Sequence, residues 1–162
     1  ATATFRGGRA TMPDGASNAE SETPGDQGAV IGVLLVGHGQ TASTLLAAAR
    51  AIVYQGLADI EAIDAGVGQT PQLEALLCDR SGRADNGRGV LVLVDLLGSS
   101  PCSCTMRSCG THSFALVSGL NLAMLLKLAT LDREQLSLEQ LAEACADSAQ
   151  RAIVVRTEEE PA

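Results

Sequence analysis

The sequence predicts an α/β fold, an open and mostly parallel sheet with helices on both faces. Three observations carry this. The strongest apolar runs are continuous rather than alternating, which marks strands buried on both faces. Segments with helical apolar spacing separate the runs, the order that builds parallel sheets. Most of the runs stop at a Gly-rich or charged loop that opens the next helix. At 162 residues the chain is long enough for one ordinary domain and too short for two.

Residues 1–28 are rich in Ala, Gly, Ser, Thr and acids and offer little to bury, so they are expected to be a disordered extension. Met12 is a candidate initiator, which would place the first eleven residues outside the natural chain. The domain proper is expected over 29–157, followed by an acidic tail at 158–162. Ala29–Val36 is the first strand, stopped by Gly37-His38-Gly39. Thr41–Gln55 is a helix with Leu45, Leu46, Ala49, Ile52 and Val53 on one face. Ile60–Ile63 is a weaker strand ending at Asp64. Thr70-Pro71 starts a second helix as N-cap and first helical residue, and that helix is expected to fade near Cys78, leaving Ser81–Gly87 as a polar loop.

Gly89–Val94 is the strongest strand signal and ends on Asp95, after which Ser100-Pro101 opens another helix. Phe114–Val117 is the fourth strand. Asn121 caps a helix reaching about Leu131, and Ser137–Gln140 has the capping-box pattern for a last helix with Leu138, Leu141, Cys145 and Ala149 inward. Ile153–Val155 is a candidate for one more short strand. There is no internal repeat.

Composition narrows the function. Apolar residues make up 46% and aromatics only 2%, with no Trp. That is too few rings for a base-stacking surface. The net charge of −8 argues against an electrostatic nucleic-acid binder. Much of that charge lies in the ends, since 30–157 hold twelve acids and nine bases. No apolar run approaches the ~18 residues of a membrane helix, so direct membrane insertion is not expected. The N-terminus lacks a hydrophobic signal core, and five Cys, an odd number, suit reduced thiols, so a cytoplasmic location is expected. Ten Arg stand beside one Lys, a ratio that reads as coding bias.

Right-handed crossovers leave few topologies, and the flavodoxin-like order 2-1-3-4 is the natural one. Sites in such sheets lie beyond the carboxyl ends of the strands where the order reverses, here between the first and third strands. Gly37-His38-Gly39 and Asp95 follow those two strands, so a His and an Asp are predicted to meet there. An Asp bonded to one ring nitrogen would fix the tautomer and leave the other as a nucleophile. Ser99, Ser100 and the amides near Gly98 and Gly39, at helix N-termini, would suit phosphoryl oxygens. Alone, His38 reads equally well as a turn residue without chemistry, Asp95 as a strand terminator, and Ser100 as an N-cap.

Gly37-His38-Gly39, then Gly89–Val94 with Asp95-Leu96-Leu97-Gly98-Ser99-Ser100-Pro101, then Val117-Ser118-Gly119-Leu120-Asn121-Leu122-Ala123-Met124-Leu125 resemble the mannose-type IIA component of the bacterial phosphotransferase system. The resemblance runs in order from about Val30 to Val155. It implies a homodimer exchanging a C-terminal strand, here Ile153–Val155. It implies phosphorylation of His38 by the histidine phosphocarrier protein HPr and transfer to a IIB partner, usually for hexose uptake. Asp95 falls on the partner aspartate and Ser100 on the serine beside the phosphoryl group. Because the donor is a phosphohistidine, no metal or other cofactor is implied. The chain departs from the usual pattern at Gly37 (Thr or Ser), Leu97 (an aromatic) and Ala123 (Pro).

Other readings are a regulatory module that reports phosphorylation state by protein binding, and the IIA-like subunit of dihydroxyacetone kinase, whose Met-Asp-Met-Gly-Ser motif Val94–Gly98 fits less well. Cys102, Cys104, Cys109 and His112 contain enough ligands for zinc. However, Cys102 and Cys104 would sit about 200° apart on a helix, so packed thiols are the better reading. A catalytic Cys is less favoured again, because His112 belongs to the opposite edge.

Overall fold

The computed structural model describes residues 29–66, 70–97 and 113–157. Four strands and four helices fall within them: β1 Gly32–His38, α1 Thr41–Ile52, β2 Glu61–Ala65, α2 Pro71–Ala84, β3 Val90–Val94, β4 Phe114–Ser118, α3 Leu122–Leu128 and α4 Leu138–Arg151. The strands form one parallel sheet in the order β2-β1-β3-β4, as the sequence predicts. The extension before residue 29, the acidic tail and the helix expected from Ser100-Pro101 lie outside the described residues.

Two apolar layers sandwich the sheet. Val33, Leu35, Leu91 and Leu93 face α1, α3 and α4 through Leu46, Met124, Leu125, Leu141 and Cys145. Leu34, Val36, Val90, Val92 and Val94 face α2 through Leu73 and Leu77. The strand residues facing both layers are apolar, which explains why β1 and β3 show no alternation. Cys145 is an inward thiol in this core, and burial pushes its pKa up to about 11, so it is an inert packing group.

The caps form as expected. Thr70 accepts the Leu73 N–H at 3.1 Å, and Asn121 accepts that of Met124 at 3.0 Å. Ser137 and Gln140 exchange both capping-box bonds, at 3.1 and 2.9 Å. Several element ends differ from expectation. β1 runs Gly32–His38 rather than Ala29–Val36, α1 stops at Ile52 rather than Gln55, and β2 runs Glu61–Ala65 rather than Ile60–Ile63. The larger departures are at α2 and after α4. Rather than fading near Cys78, α2 continues to Ala84, so the first half of the expected polar loop is helical. Gly82 and Arg83 are exposed, but Ser81 is buried and Ala84 packs on β1 so closely that a Cβ on Gly32 would lie 2.2 Å from the Ala84 carbonyl oxygen. Tertiary contact overrides the weak apolar pattern. The last apolar segment does not form a fifth strand. Leu138 at the start of α4 lies beside Gly89, at the edge where strands begin. Fourteen residues at ~1.5 Å each carry the chain to the opposite edge, where it cannot join the sheet in parallel. Ile153, Val154 and Val155 are left 77%, 66% and 86% exposed.

Arginines close the edge where the strands begin. Arg50 donates to the carbonyls of Leu57 and Ile60, each at 2.8 Å. Arg88 donates to Leu136 at 2.8 Å and to Glu134. Arg133 donates to the Ile31 carbonyl at 3.1 Å and to both Asp59 oxygens at 2.6 and 2.9 Å. That last pair holds the Asp59 carboxyl below its ordinary range, the bond from Arg133 outweighing burial. The fork geometry of guanidinium, which Lys lacks, lets one side chain serve two or three acceptors.

Gly32→Ala tests the α2 contact. Replacing Gly in a strand ordinarily gains about 0.5–1 kcal/mol. Here a Cβ must displace backbone, and overpacking costs about 1–3 kcal/mol. A net loss of stability is expected, read as a lower urea midpoint with an unchanged slope.

Candidate phosphoryl-transfer site

β1 lies between β2 and β3, so the strand order reverses between β1 and β3. Val36 pairs with Val94, and the Asp95 N–H extends the ladder by donating to the Val36 carbonyl at 3.3 Å. His38 is the last residue of β1 and Asp95 the first beyond β3, so the two predicted residues meet. The Asp95 carboxylate accepts the backbone N–H of His38 at 2.7 Å through Oδ2. His38 Nδ1 lies 3.1 Å from Oδ1 and 3.0 Å from Oδ2.

Burial works to raise the Asp95 pKa. The backbone and ring bonds from His38, with a further one from the Leu96 N–H, outweigh it and hold the carboxyl below its ordinary range. An ionised carboxylate only accepts, so Nδ1 carries a proton, and in the neutral ring the lone pair is then on Nε2. The His38 side chain is 42% exposed and that of Asp95 15%. The arrangement is a ring that a partner can reach, backed by a sheltered anion. Leu96 and Leu97 add an exposed apolar rim, at 61% and 65%.

The turn after His38 rests on two glycines. Gly39 has φ +55°, a left-handed conformation that swings the chain into α1. Its N–H already donates to the Ala65 carbonyl at 3.1 Å, so Gly39 contributes shape here rather than an amide facing the ring. A Cβ on Gly37 would lie 3.0 Å from the Ala42 nitrogen, so the absent side chain lets α1 approach behind the histidine. Gly98, Ser99 and Ser100 lie outside the described residues, as do Cys102, Cys104, Cys109 and His112. Asp64, the penultimate residue of β2, binds the first turn of α1, a role the sequence did not assign to it. A charge terminating a strand, the pattern that marks Asp95, is present there too.

The fold and the His–Asp couple at its switch point define a small α/β domain that presents an accessible imidazole backed by a carboxylate. The family model described as "PTS system fructose IIA component" (EIIA-man) matches residues 32–146, and the chain belongs to that family. It is a IIA component of the sugar phosphotransferase system, whose general role is phosphoryl transfer. The mannose/sorbose-specific IIA subunit of Enterococcus faecalis is 29% identical and covers 82% of this chain and 99% of its own, with a TM-score of 0.70. EIIA of Streptococcus agalactiae is 23% identical over 77% of this chain and 96% of its own, at 0.66. The IIA protein associated with the fucose utilization operon of Streptococcus pneumoniae is 24% identical over 78% and 95%, at 0.62. No curated protein matches. Among the described residues no helix is long and apolar enough to cross a membrane.

A depressed carboxyl pKa makes the contribution of Asp95 pH-dependent with a definite sign. It is fully present above the unfolded value of about 3.9 and is lost as pH falls through the lower folded value. Asp95→Asn is therefore expected to destabilise the protein at neutral pH, with the gap from wild type narrowing in acid. Urea midpoints measured across that range check it. A gap independent of pH would mean that the carboxylate charge plays no part.

Proposed function

We propose that the chain is a phosphohistidine carrier that accepts a phosphoryl group from HPr on Nε2 of His38 and passes it to a IIB partner. The observation that carries this is the grip of Asp95 on both the backbone and the Nδ1 of His38, which presents Nε2 as the nucleophile. In the transfer, the Nε2 lone pair bonds to phosphorus as the P–N bond of the donor phosphohistidine breaks. The donor ring keeps that electron pair. The positive charge that develops on the His38 ring is balanced by Asp95, and onward transfer reverses the same steps. Ser99, Ser100 and the Gly98 amide are proposed as the cradle for the phosphoryl oxygens, with Gly39 shaping the turn. The apolar rim of Leu96 and Leu97 would meet the docked partner. A cytoplasmic site of action follows from these partners.

Incubation with enzyme I, HPr and phosphoenolpyruvate is expected to label the protein with acid-labile phosphate. His38→Ala should abolish the label and His112→Ala should not. Asp95→Asn should slow labelling strongly, by up to roughly 10⁴-fold, the loss seen when the orienting aspartate of a catalytic triad is neutralised. Label that survives His38→Ala would place the site elsewhere. Labelling without onward transfer to any IIB protein would favour a regulatory role.

A homodimer exchanging Ile153–Val155 is also proposed. Three consecutive β-formers stand exposed just past α4, and β4 is an edge strand among the described residues. Adding a strand from a second copy would cover both. Sedimentation should show a dimer for the wild type and a monomer for Val154→Asp. A monomeric wild type would overturn the exchange.

A further inference from the structure

A second carboxylate lies at the chemical edge of the sheet and has no part in the transfer described above. Asp64 stands in register with Gly37, and the next residue, Ala65, with His38. Its side chain reaches the first turn of α1, accepting the Ser43 N–H at 3.0 Å through Oδ1 and the Ser43 hydroxyl at 2.5 Å through Oδ2. The first N–H groups of a helix need partners from outside it. Gln40, at the N-cap of α1, makes no side-chain cap bond. The cap therefore comes from the neighbouring strand.

Ala65 completes the clamp by accepting the Gly39 N–H at 3.1 Å. Asp64 and Ala65 thus hold both flanks of the Gly39–Gln40 turn that joins His38 to α1. Among the described residues nothing lies within 4 Å of where a Gly39 Cβ would be, so hydrogen bonds rather than side-chain packing hold this turn. Asp95 grips His38 from the β3 side, and Asp64 secures the turn that follows it from the β2 side.

We propose that Asp64 is a positioning residue for His38: by capping α1 through Ser43 it fixes the Gly39–Gln40 turn and so holds the ring with Nδ1 on Asp95 and Nε2 toward the docked donor. This rests on the carrier reading. A misplacement of about 1 Å at a reacting atom can slow a reaction 10²-fold, and partial loosening of a turn should cost less than that. A purely structural cap would lower the melting temperature and leave the transfer rate of the folded protein unchanged. A direct contact with the donor would change the donor concentration needed for half-maximal rate.

The test is single-turnover transfer from phosphorylated HPr, measured below the melting temperature of each variant over a range of HPr concentrations, with ring ¹H–¹⁵N spectra of His38. Asp64→Ala is expected to lower the saturated rate about tenfold. The half-saturating concentration should stay constant, and the Nδ1–H resonance should shift or broaden. Asp64→Asn keeps an oxygen for the Ser43 N–H and should recover most of the rate. A saturated rate for Asp64→Ala within twofold of wild type, a change confined to half-saturation, or an Asn variant as slow as Ala would each overturn the proposal. If Asp64→Ala does not fold, Ser43→Ala, which keeps the backbone N–H bond to Asp64 but removes the hydroxyl contacts to Asp64 and to the Gln40 carbonyl, should still lower the saturated rate a few-fold, and a wild-type rate there overturns it. A wild type that takes no label from HPr would overturn the carrier reading itself. In that case the ring spectrum still decides the role of Asp64, since an unchanged Nδ1–H signal in Asp64→Ala would remove it.

Discussion

The parallel pairing of β1 with β3 brings residue 38 against residue 95. Val36 lies opposite Val94, the Asp95 N–H adds one rung to the ladder, and the two side chains that matter follow at once. A slip of one residue would turn each side chain of a strand to the other face and separate the imidazole from the carboxylate. In a half-exposed sheet the alternation of apolar and polar residues would prevent such a slip. Here both faces of β1 and β3 are apolar, so alternation alone discriminates poorly between registers. The register must be held by features outside the strands.

The arginine contacts provide such features, and they lie at the edge opposite the site. Arg133 ties the start of β1 to the turn before α4 and to Asp59, and Arg88 ties the segment before β3 to the same turn. Arg50 closes the approach to β2. Each joins a long side chain to main-chain oxygens that would otherwise need water. One end of the sheet is therefore fastened by guanidinium groups, and the other is free to present a turn, two carboxylates and an accessible ring. This use of arginine is structural, whatever bias set the Arg-to-Lys ratio.

Much of this was legible in the sequence because several local signals agreed. Continuous apolar runs marked the buried strands, the cap residues at Thr70, Asn121 and Ser137 bond as their types predict, and the switch-point rule placed His38 beside Asp95. What was missed depends on contacts between distant segments. The last turn of α2 contains Ser81, Gly82 and Arg83, a run that reads as loop, yet Ala84 seats on Gly32 from far along the chain. The fate of Ile153–Val155 depends on which edge α4 reaches, which apolar content does not report. Asp64 was visible as a strand terminator, but its partner Ser43 lies on a helix whose own N-cap gives no hint of needing help.

The geometry at Asp95 carries a final consequence. Had the carboxylate touched only the imidazole, small movements between β1 and β3 would have moved ring and anion relative to one another. Because Oδ2 also accepts the His38 backbone N–H, the anion is fixed to the same residue whose ring it orients. Ring and carboxylate thus share one frame, and the pairing tolerates motion elsewhere in the sheet. The three N–H donors that outweigh the burial of Asp95 also keep it ionised, and an ionised carboxylate can hold only the Nδ1–H tautomer. An amide at position 95 could offer Nδ1 either an oxygen or an NH₂ group, and the choice of nucleophilic nitrogen would be lost. In the proposed transfer, the charge on Asp95 therefore selects the nitrogen as well as balancing the ring.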